Sequence, residues 1–123
     1  MNGNKTEKRN IGDAGEELAA EYLSEKGYEI VCRNFACKAG ETDIIAVNGE
    51  TIVFAEVKTR KSTAFGLACE AVDRKKQRRL LICAGVFLKL NPCYRGLSVR
   101  MDIIEVYKNG RMSRLNHIEN AFS

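Results

Sequence analysis

Two runs whose polar ends enclose apolar centres, 41–47 (ETDIIAV) and 50–58 (ETIVFAEVK), face each other across Asn48-Gly49. Short runs of this kind read as strands, and Asn-Gly between two of them is the strongest short-range hairpin signal. On either side the apolar spacing becomes that of a helix. Leu18, Ala19, Tyr22 and Leu23 form the stripe of a helix predicted to start at an Asp13 N-cap, with Glu16 completing a capping box and Gly27 ending it. Val72, Leu80, Leu81, Ala84, Phe87 and Leu88 form the stripe of a longer helix over about 68–90, stopped by Asn91-Pro92. Residues 28–35 and 97–107 read as a first and a last strand, and Asn109-Gly110 turns the chain into a tail. The predicted order is α-β-β-β-α-β, an α/β domain whose mixed β-sheet core is flanked by helices. It is divided into a flexible basic arm at 1–11, a domain at 12–108 and a C-terminal tail at 109–123.

Polar residues then interrupt the apolar pattern in one place. With a two-residue turn at Asn48-Gly49, Val47 pairs with Glu50, Glu41 lies opposite Glu56, and Asp43 lies one diagonal step from Glu56. Strand alternation puts Glu56 and Lys58 on the same face. Three carboxylates and an ammonium therefore gather at one end of a face whose other end is Ile45, Val47 and Ile52. Clustered carboxylates raise one another's pKa unless a cation sits among them, and that cation is either Lys58 or a divalent metal held by hard oxygen ligands. An ordinary Glu–Lys pair on a solvated sheet end is the competing reading, and a bulged loop would flip one strand's faces.

The helices repeat the theme. Glu16 flanks the buried stripe beside Ala19 and Leu23, so it is either a metal-site residue or only a capping partner. Lys76 and Gln77, each four residues before Leu80 and Leu81, extend the second helix's apolar stripe into a polar end, while Arg78 and Arg79 point elsewhere. The run Arg74 to Arg79 (RKKQRR) opens a helix, where positive charge opposes the dipole, and so points weakly to an anionic partner over a merely solvated face.

Composition narrows the class. The 123 residues are 45% hydrophobic, enough for one compact domain. No apolar run approaches the ~20 residues of a membrane span, and no signal-peptide core follows the polar N-terminus. A cytoplasmic, non-membrane protein is expected. The five cysteines lack the close pairing of a zinc site and read as reduced thiols. The 20 basic and 16 acidic side chains give a net charge of +4. Setting aside Glu16, Glu41, Asp43 and Glu56 doubles that excess to +8, a focused acidic spot in a basic field that suits metal-assisted chemistry on a phosphodiester.

The spacing of Asp43 to Glu56-Val57-Lys58 resembles the PD-(D/E)XK nuclease superfamily, which holds many restriction enzymes and the archaeal Holliday-junction resolvases. More closely, the chain resembles the YraN family of small bacterial proteins regarded as endonucleases. The matching pieces are Gly15-Glu16 with Ala19, Tyr22 and Leu23; Arg33-Asn34; residues 40–45 (GETDII); residues 54–58 (FAEVK); Ala64-Phe65-Gly66; residues 76–80 (KQRRL); and residues 101–104 (MDII). Thr42 stands where the superfamily has its namesake Pro and where YraN-like chains carry an apolar residue. The resemblance implies a restriction-endonuclease-like fold and a hydrolase acting on nucleic acid, DNA before RNA, linear or branched. It implies Mg²⁺ or Mn²⁺ held by Asp43, Glu56 and the Val57 carbonyl, with Glu16 holding a metal-bound water or a second ion. Lys58 would orient or deprotonate the attacking water. Lys76 and Gln77 would reach the scissile phosphate, and Arg74, Lys75, Arg78 and Arg79 would bind nucleic acid. Glu41 would be an additional ligand or a support for one. Assembly as a homodimer stays open, as does a nucleic-acid-binding or accessory interaction module without catalysis.

Overall fold

A computed structural model describes residues 3–61, 72–109 and 112–123. The expected helix turns at 68–71, the Ala64-Phe65-Gly66 piece, Cys69 and Gly110 lie outside the described residues. The elements are α1 (Gly3–Glu25), β1 (Glu29–Cys37), β2 (Gly40–Asn48), β3 (Thr51–Lys61), α2 (Arg74–Leu90), a single 3₁₀ turn (Pro92–Tyr94), β4 (Ser98–Asn109) and β5 (Met112–Phe122). The strands form one mixed sheet in the order β1-β2-β3-β4-β5, antiparallel except for the β3–β4 pair. That parallel pair needs a crossover, and α2 lies within it.

Period-two alternation sorts the sheet's apolar side chains to two helices. Ile44, Ala46, Val53, Ala55, Ile104 and Val106 pack with Ala19 and Leu23 of α1. Ile45, Ile52, Phe54, Met101 and Ile103 pack with Leu80, Ala84 and Phe87 of α2. Gly15 sets how closely α1 approaches, because a Cβ there would overlap the Thr59 hydroxyl of β3.

The expected α/β architecture is present, with four differences. Helix α1 begins at Gly3, so Asp13 lies inside it and is not its N-cap, and helical backbone occupies most of the expected arm. Lys5, Glu7, Lys8 and Arg9 are good helix formers, and extending an existing helix costs far less than nucleating one. Helix α2 starts at Arg74, not near residue 68, because Asp73 in extended backbone accepts from the Lys76 N–H and caps it. Val72 is buried, but ahead of the helix. The expected tail carries an eleven-residue strand, β5, antiparallel to β4. Finally, the hairpin pairs Val47 with Ile52 and Asn48 with Thr51, so its turn is Gly49-Glu50. Gly49 alone of the two has positive φ (60°), the pattern of a II′ turn with Gly first, and the Glu50 carbonyl accepts from Ser98 N at 2.7 Å. The register moves by two residues, so every side chain keeps the face predicted for it.

A polar cluster pins β4 and β5 beneath α1. Asp102, fully buried, accepts from Arg100 Nε and Nη2 at 2.9 Å, from His117 Nε2 at 2.6 Å and from the Asn120 N–H at 3.0 Å. His117 Nδ1 in turn accepts from the Tyr22 hydroxyl of α1 at 2.9 Å. Burial opposes the Asp102 charge, but His117, Arg100 and Asn120 outweigh it and hold the carboxyl below its ordinary value. Its contribution is therefore complete above the ordinary carboxylate pKa and is lost as pH falls through the lowered one. Asp102→Ala removes the fully buried acceptor that Arg100, His117 and the Asn120 N–H share, leaving His117 Nε2 and the Asn120 N–H without it and Arg100 with only Glu119 and Tyr28. It should cost roughly 3–5 kcal/mol in urea unfolding, and a loss within about 0.5 kcal/mol, the range of a surface change, would show the cluster to be dispensable.

Candidate active site

The β2–β3 ladder runs from the turn only as far as Ile44↔Ala55, while β3 continues beside β4 to Lys61↔Lys108. Beyond Ile44 the strands form a fork. Asp43 Oδ2 replaces the missing ladder partner by accepting from the Val57 N–H at 2.8 Å. Within a strand, the N–H and C=O of one residue project to the same side, so the Val57 carbonyl also faces the fork. Continuing the observed register by one step sets Asp43 directly beside Glu56, closer than the diagonal expected from sequence.

Glu56 is 6% exposed and lies on the α2 face, in line with Phe54. Lys76 from the first turn of α2 meets Glu56 Oε1 at 2.9 Å, and Lys58 lies 3.9 Å from the same oxygen. A cavity of about 460 Å³ opens here, lined by Gly40, Glu41, Asp43, Glu56, Asp73, Lys76, Arg79 and Leu80.

Two more carboxylates join from the rim. The Asn34 amide nitrogen, oriented to donate, lies 2.8 Å from Glu16 Oε1 and 3.1 Å from Glu41 Oε1. Asn34 takes left-handed backbone (φ 54°), which Asn tolerates better than most residues. That conformation breaks the alternation of β1, so Arg33 pairs with Glu17 of α1 while Phe35 stacks edge-on against Phe87 of α2. Asn34 and Asp73 were not singled out by sequence reasoning. Asp73 carried a readable signal, an N-cap residue directly before the basic run; Asn34 carried only its place in the Arg33-Asn34 piece.

The charges are mutually strained. Burial first, then the Glu56 charge, with smaller contributions from Glu16 and Glu41, push the Asp43 carboxyl up to about 7 against the pull of the Val57 N–H. Burial and the neighbouring Lys76 ammonium push Lys58 below the ordinary lysine value, outweighing Glu56 and Asp43. Lys76 is pushed the other way, since its contacts with Lys58 and Glu56 outweigh burial. Of the two ammonium groups on Glu56, Lys58 is the one that holds its proton less tightly.

The remaining residues divide. Gln77 turns back, its amide nitrogen donating to the Val72 carbonyl at 2.9 Å, so it braces the helix start and does not enter the cavity. Arg79, expected to point elsewhere, lines the cavity. Arg74, Lys75 and Arg78 are exposed on the first turns of α2. Among the described residues, no three Asp, Glu, His or Cys side chains already close on one point at metal-ligand spacing. Asp43, Glu56 and the Val57 carbonyl nevertheless fit a magnesium-like ion. They are hard oxygens with surplus negative charge, and Mg²⁺ takes one or two carboxylates and keeps several waters.

Fold and site together define a small mixed α/β domain with a carboxylate–lysine cluster in a strand fork. The description "Uncharacterised protein family UPF0102" matches residues 15–106, and the chain belongs to that family. This agrees with the YraN-like pieces read from its sequence. It is 47% identical over 121 residues to a UPF0102 protein of Caldanaerobacter subterraneus subsp. tengcongensis, covering 96% of this chain and 98% of that one. It is 48% identical to one from Caldicellulosiruptor saccharolyticus (94% and 98% covered) and 37% identical to one from Stutzerimonas stutzeri (95% and 98%). Among the described residues, no helix is long and apolar enough to cross a membrane.

Proposed function

We propose that this chain is a metal-dependent nuclease of the PD-(D/E)XK type, an endonuclease that hydrolyses phosphodiester bonds in nucleic acid, DNA in the first place, in the cytoplasm. The observation that carries the reading is the fork: Asp43 bonded to the Val57 N–H and lining one cavity with Glu56, with Lys58 two residues on, 3.9 Å from the Glu56 carboxylate. Asp43, Glu56 and the Val57 carbonyl would hold Mg²⁺ or Mn²⁺, with Glu16 and Glu41 behind them on Asn34. The ion would supply charge neutralisation at the phosphate and acidify a bound water. Lys58 accepts the proton of the attacking water, or holds that water in line, and burial with the neighbouring Lys76 lowers its pKa in the direction that a base requires. Lys76 and Arg79, on the cavity wall contributed by α2, offset the charge that grows on the phosphate oxygens.

One observation favours a second reading, a nucleic-acid-binding module without cleavage. Lys76 already neutralises Glu56 at 2.9 Å, where a metal would act. Linear, flapped, single-stranded and four-way-junction substrates, each with Mg²⁺ and Mn²⁺, separate the two. Scission of any one supports the nuclease, and metal-independent binding without scission of any replaces it with the module.

In either case the exposed Arg78 belongs, with Arg74 and Lys75, to a phosphate-binding face beside the cavity. The charge-reversed variant R78E/R79E should weaken DNA binding at least tenfold at low salt. It should also flatten the slope of log affinity against log salt by about two. An unchanged slope would make the run an ordinary solvated helix face.

A further inference from the structure

Cys37 ends β1 and Cys83 sits in the middle of α2, 46 residues apart in the chain, yet their sulfurs are 3.0 Å apart. That is about 1 Å longer than a covalent S–S bond, and both cysteines are free thiols. The pair is placed at the cavity. Gly40, three residues after Cys37, and Arg79, one helical turn before Cys83, are both lining residues. A side chain on Gly40 would touch both Arg79 and the Cys83 sulfur, at 3.6 and 3.9 Å. The two cysteines therefore face each other across the seam where the β1–β2 turn meets α2.

We propose that Cys37 and Cys83 form an oxidisable dithiol that hydroperoxides convert into a disulfide, tying the two walls of the cavity together. The reaction has two balanced steps. The Cys37 thiolate attacks the distal oxygen of the hydroperoxide, the O–O bond breaks, and the departing hydroxide or alkoxide takes up the proton Cys37 released. The product is a sulfenic acid on Cys37 and one molecule of water or alcohol. Cys83 sulfur then attacks the Cys37 sulfur, the S–OH bond breaks, and the hydroxide leaves with the Cys83 proton as water. Two thiols are oxidised and one peroxide is reduced.

The environments divide these roles. Cys37 is partly exposed. The hydrogen bond from Cys83 lowers its pKa, helped by the backbone N–H groups of Ala39 and Gly40 and outweighing desolvation. Cys83 is fully buried, and burial with the neighbouring Cys37 pushes it up to about 12, so it keeps its proton until a sulfenic acid appears beside it. A partly exposed thiol of lowered pKa, in sulfur contact with a buried partner, is the arrangement of a peroxide-sensing cysteine and its resolving thiol. Cys93 is the exposed competitor, and nothing holds a second thiol near it among the described residues.

Only the effect on the cavity rests on the proposed nuclease site; the thiol chemistry is read without it. The test treats the reduced full-length protein with hydrogen peroxide, and maps peptides under non-reducing conditions. One intramolecular Cys37–Cys83 link is expected, reversed by dithiothreitol, with a melting temperature several degrees above the reduced form because the bond closes a 46-residue loop. Cys83→Ser should trap a sulfenic acid on Cys37 that a cyclic dione labels, whereas Cys37→Ser should give no label at Cys83. Links through Cys93 between molecules without a Cys37–Cys83 peptide, or equal labelling in the two serine variants, would overturn the proposal. If the link forms but no substrate is cut in either redox state, the dithiol stands and the nuclease reading falls.

Discussion

Lys58→Ala is expected to slow strand scission by on the order of 10²-fold or more while leaving nucleic-acid affinity within about twofold of the parent protein. The lysine is at the edge of the fork, its side chain 29% exposed, 3.9 Å from Glu56. Its removal does not orphan that carboxylate, because Lys76 remains at 2.9 Å. The fold should accordingly survive, with an unchanged unfolding midpoint as the control. A group that acts mainly in the transition state lowers turnover without weakening binding, so the loss should fall in kcat and not in KM.

The same site predicts a pH profile. Burial and Lys76 lower the Lys58 pKa, so if the neutral amine is the reactive form, cleavage climbs with pH and levels off below the ordinary lysine value of 10.5. Lys58→Arg keeps a cation that cannot lose its proton. An arginine variant as slow as the alanine variant identifies a base. One that cuts at near-parental rate identifies a purely electrostatic role, and an alanine variant that cuts as fast as the parent removes Lys58 from the chemistry altogether.

How much of this was legible in the sequence differs by element, for physical reasons. The hairpin strands were readable as short apolar runs because both faces are buried at their centres, Ile44, Ala46, Val53 and Ala55 under α1 and Ile45, Ile52 and Phe54 under α2, with Asn48-Gly49 between them. The geometric alternation of side chains along a strand put Asp43, Glu56 and Lys58 on one face, and the placement survived a two-residue register error because such an error preserves parity. The error arose because Asn48-Gly49 favours a I′ turn locally, whereas Gly49-Glu50 gives the turn that reaches Ser98 at the start of β4. That is a tertiary contact no dipeptide encodes. Strand β5 was invisible because it alternates poorly, with Leu115, His117 and Ile118 only half-buried on an edge. Asn34 was missed because its role depends on a left-handed backbone inside a strand, which breaks the very rule used to find strands. The Cys37–Cys83 contact joins β1 to α2 across 46 residues, a distance over which spacing carries no information.

Asp43→Asn is expected to stabilise the metal-free protein at pH 8 and to do so much less at pH 5. The Asp43 carboxyl is pushed from 3.8 up to about 7 in the folded chain, by burial and by Glu56 before Glu16 and Glu41. A carboxyl whose folded pKa lies above its unfolded value makes the fold bind the extra proton. The penalty is therefore absent below about pH 4, grows as pH rises, and is complete once pH passes the folded value of about 7. About three units at 1.36 kcal/mol each set an upper bound of about 4 kcal/mol. The amide that replaces the carboxyl keeps an oxygen to accept from the Val57 N–H, so most of the native geometry is retained at the fork. Unfolding midpoints measured from pH 4 to 9 should thus diverge, with the parent falling below the variant as pH rises. Mg²⁺ or Mn²⁺ at millimolar concentration should then close the gap from one side only, raising the parent at pH 8 and leaving the variant near its metal-free value. Parallel pH curves would mean that Asp43 is not the strained carboxylate, and equal stabilisation of both proteins by the ion would place the metal elsewhere.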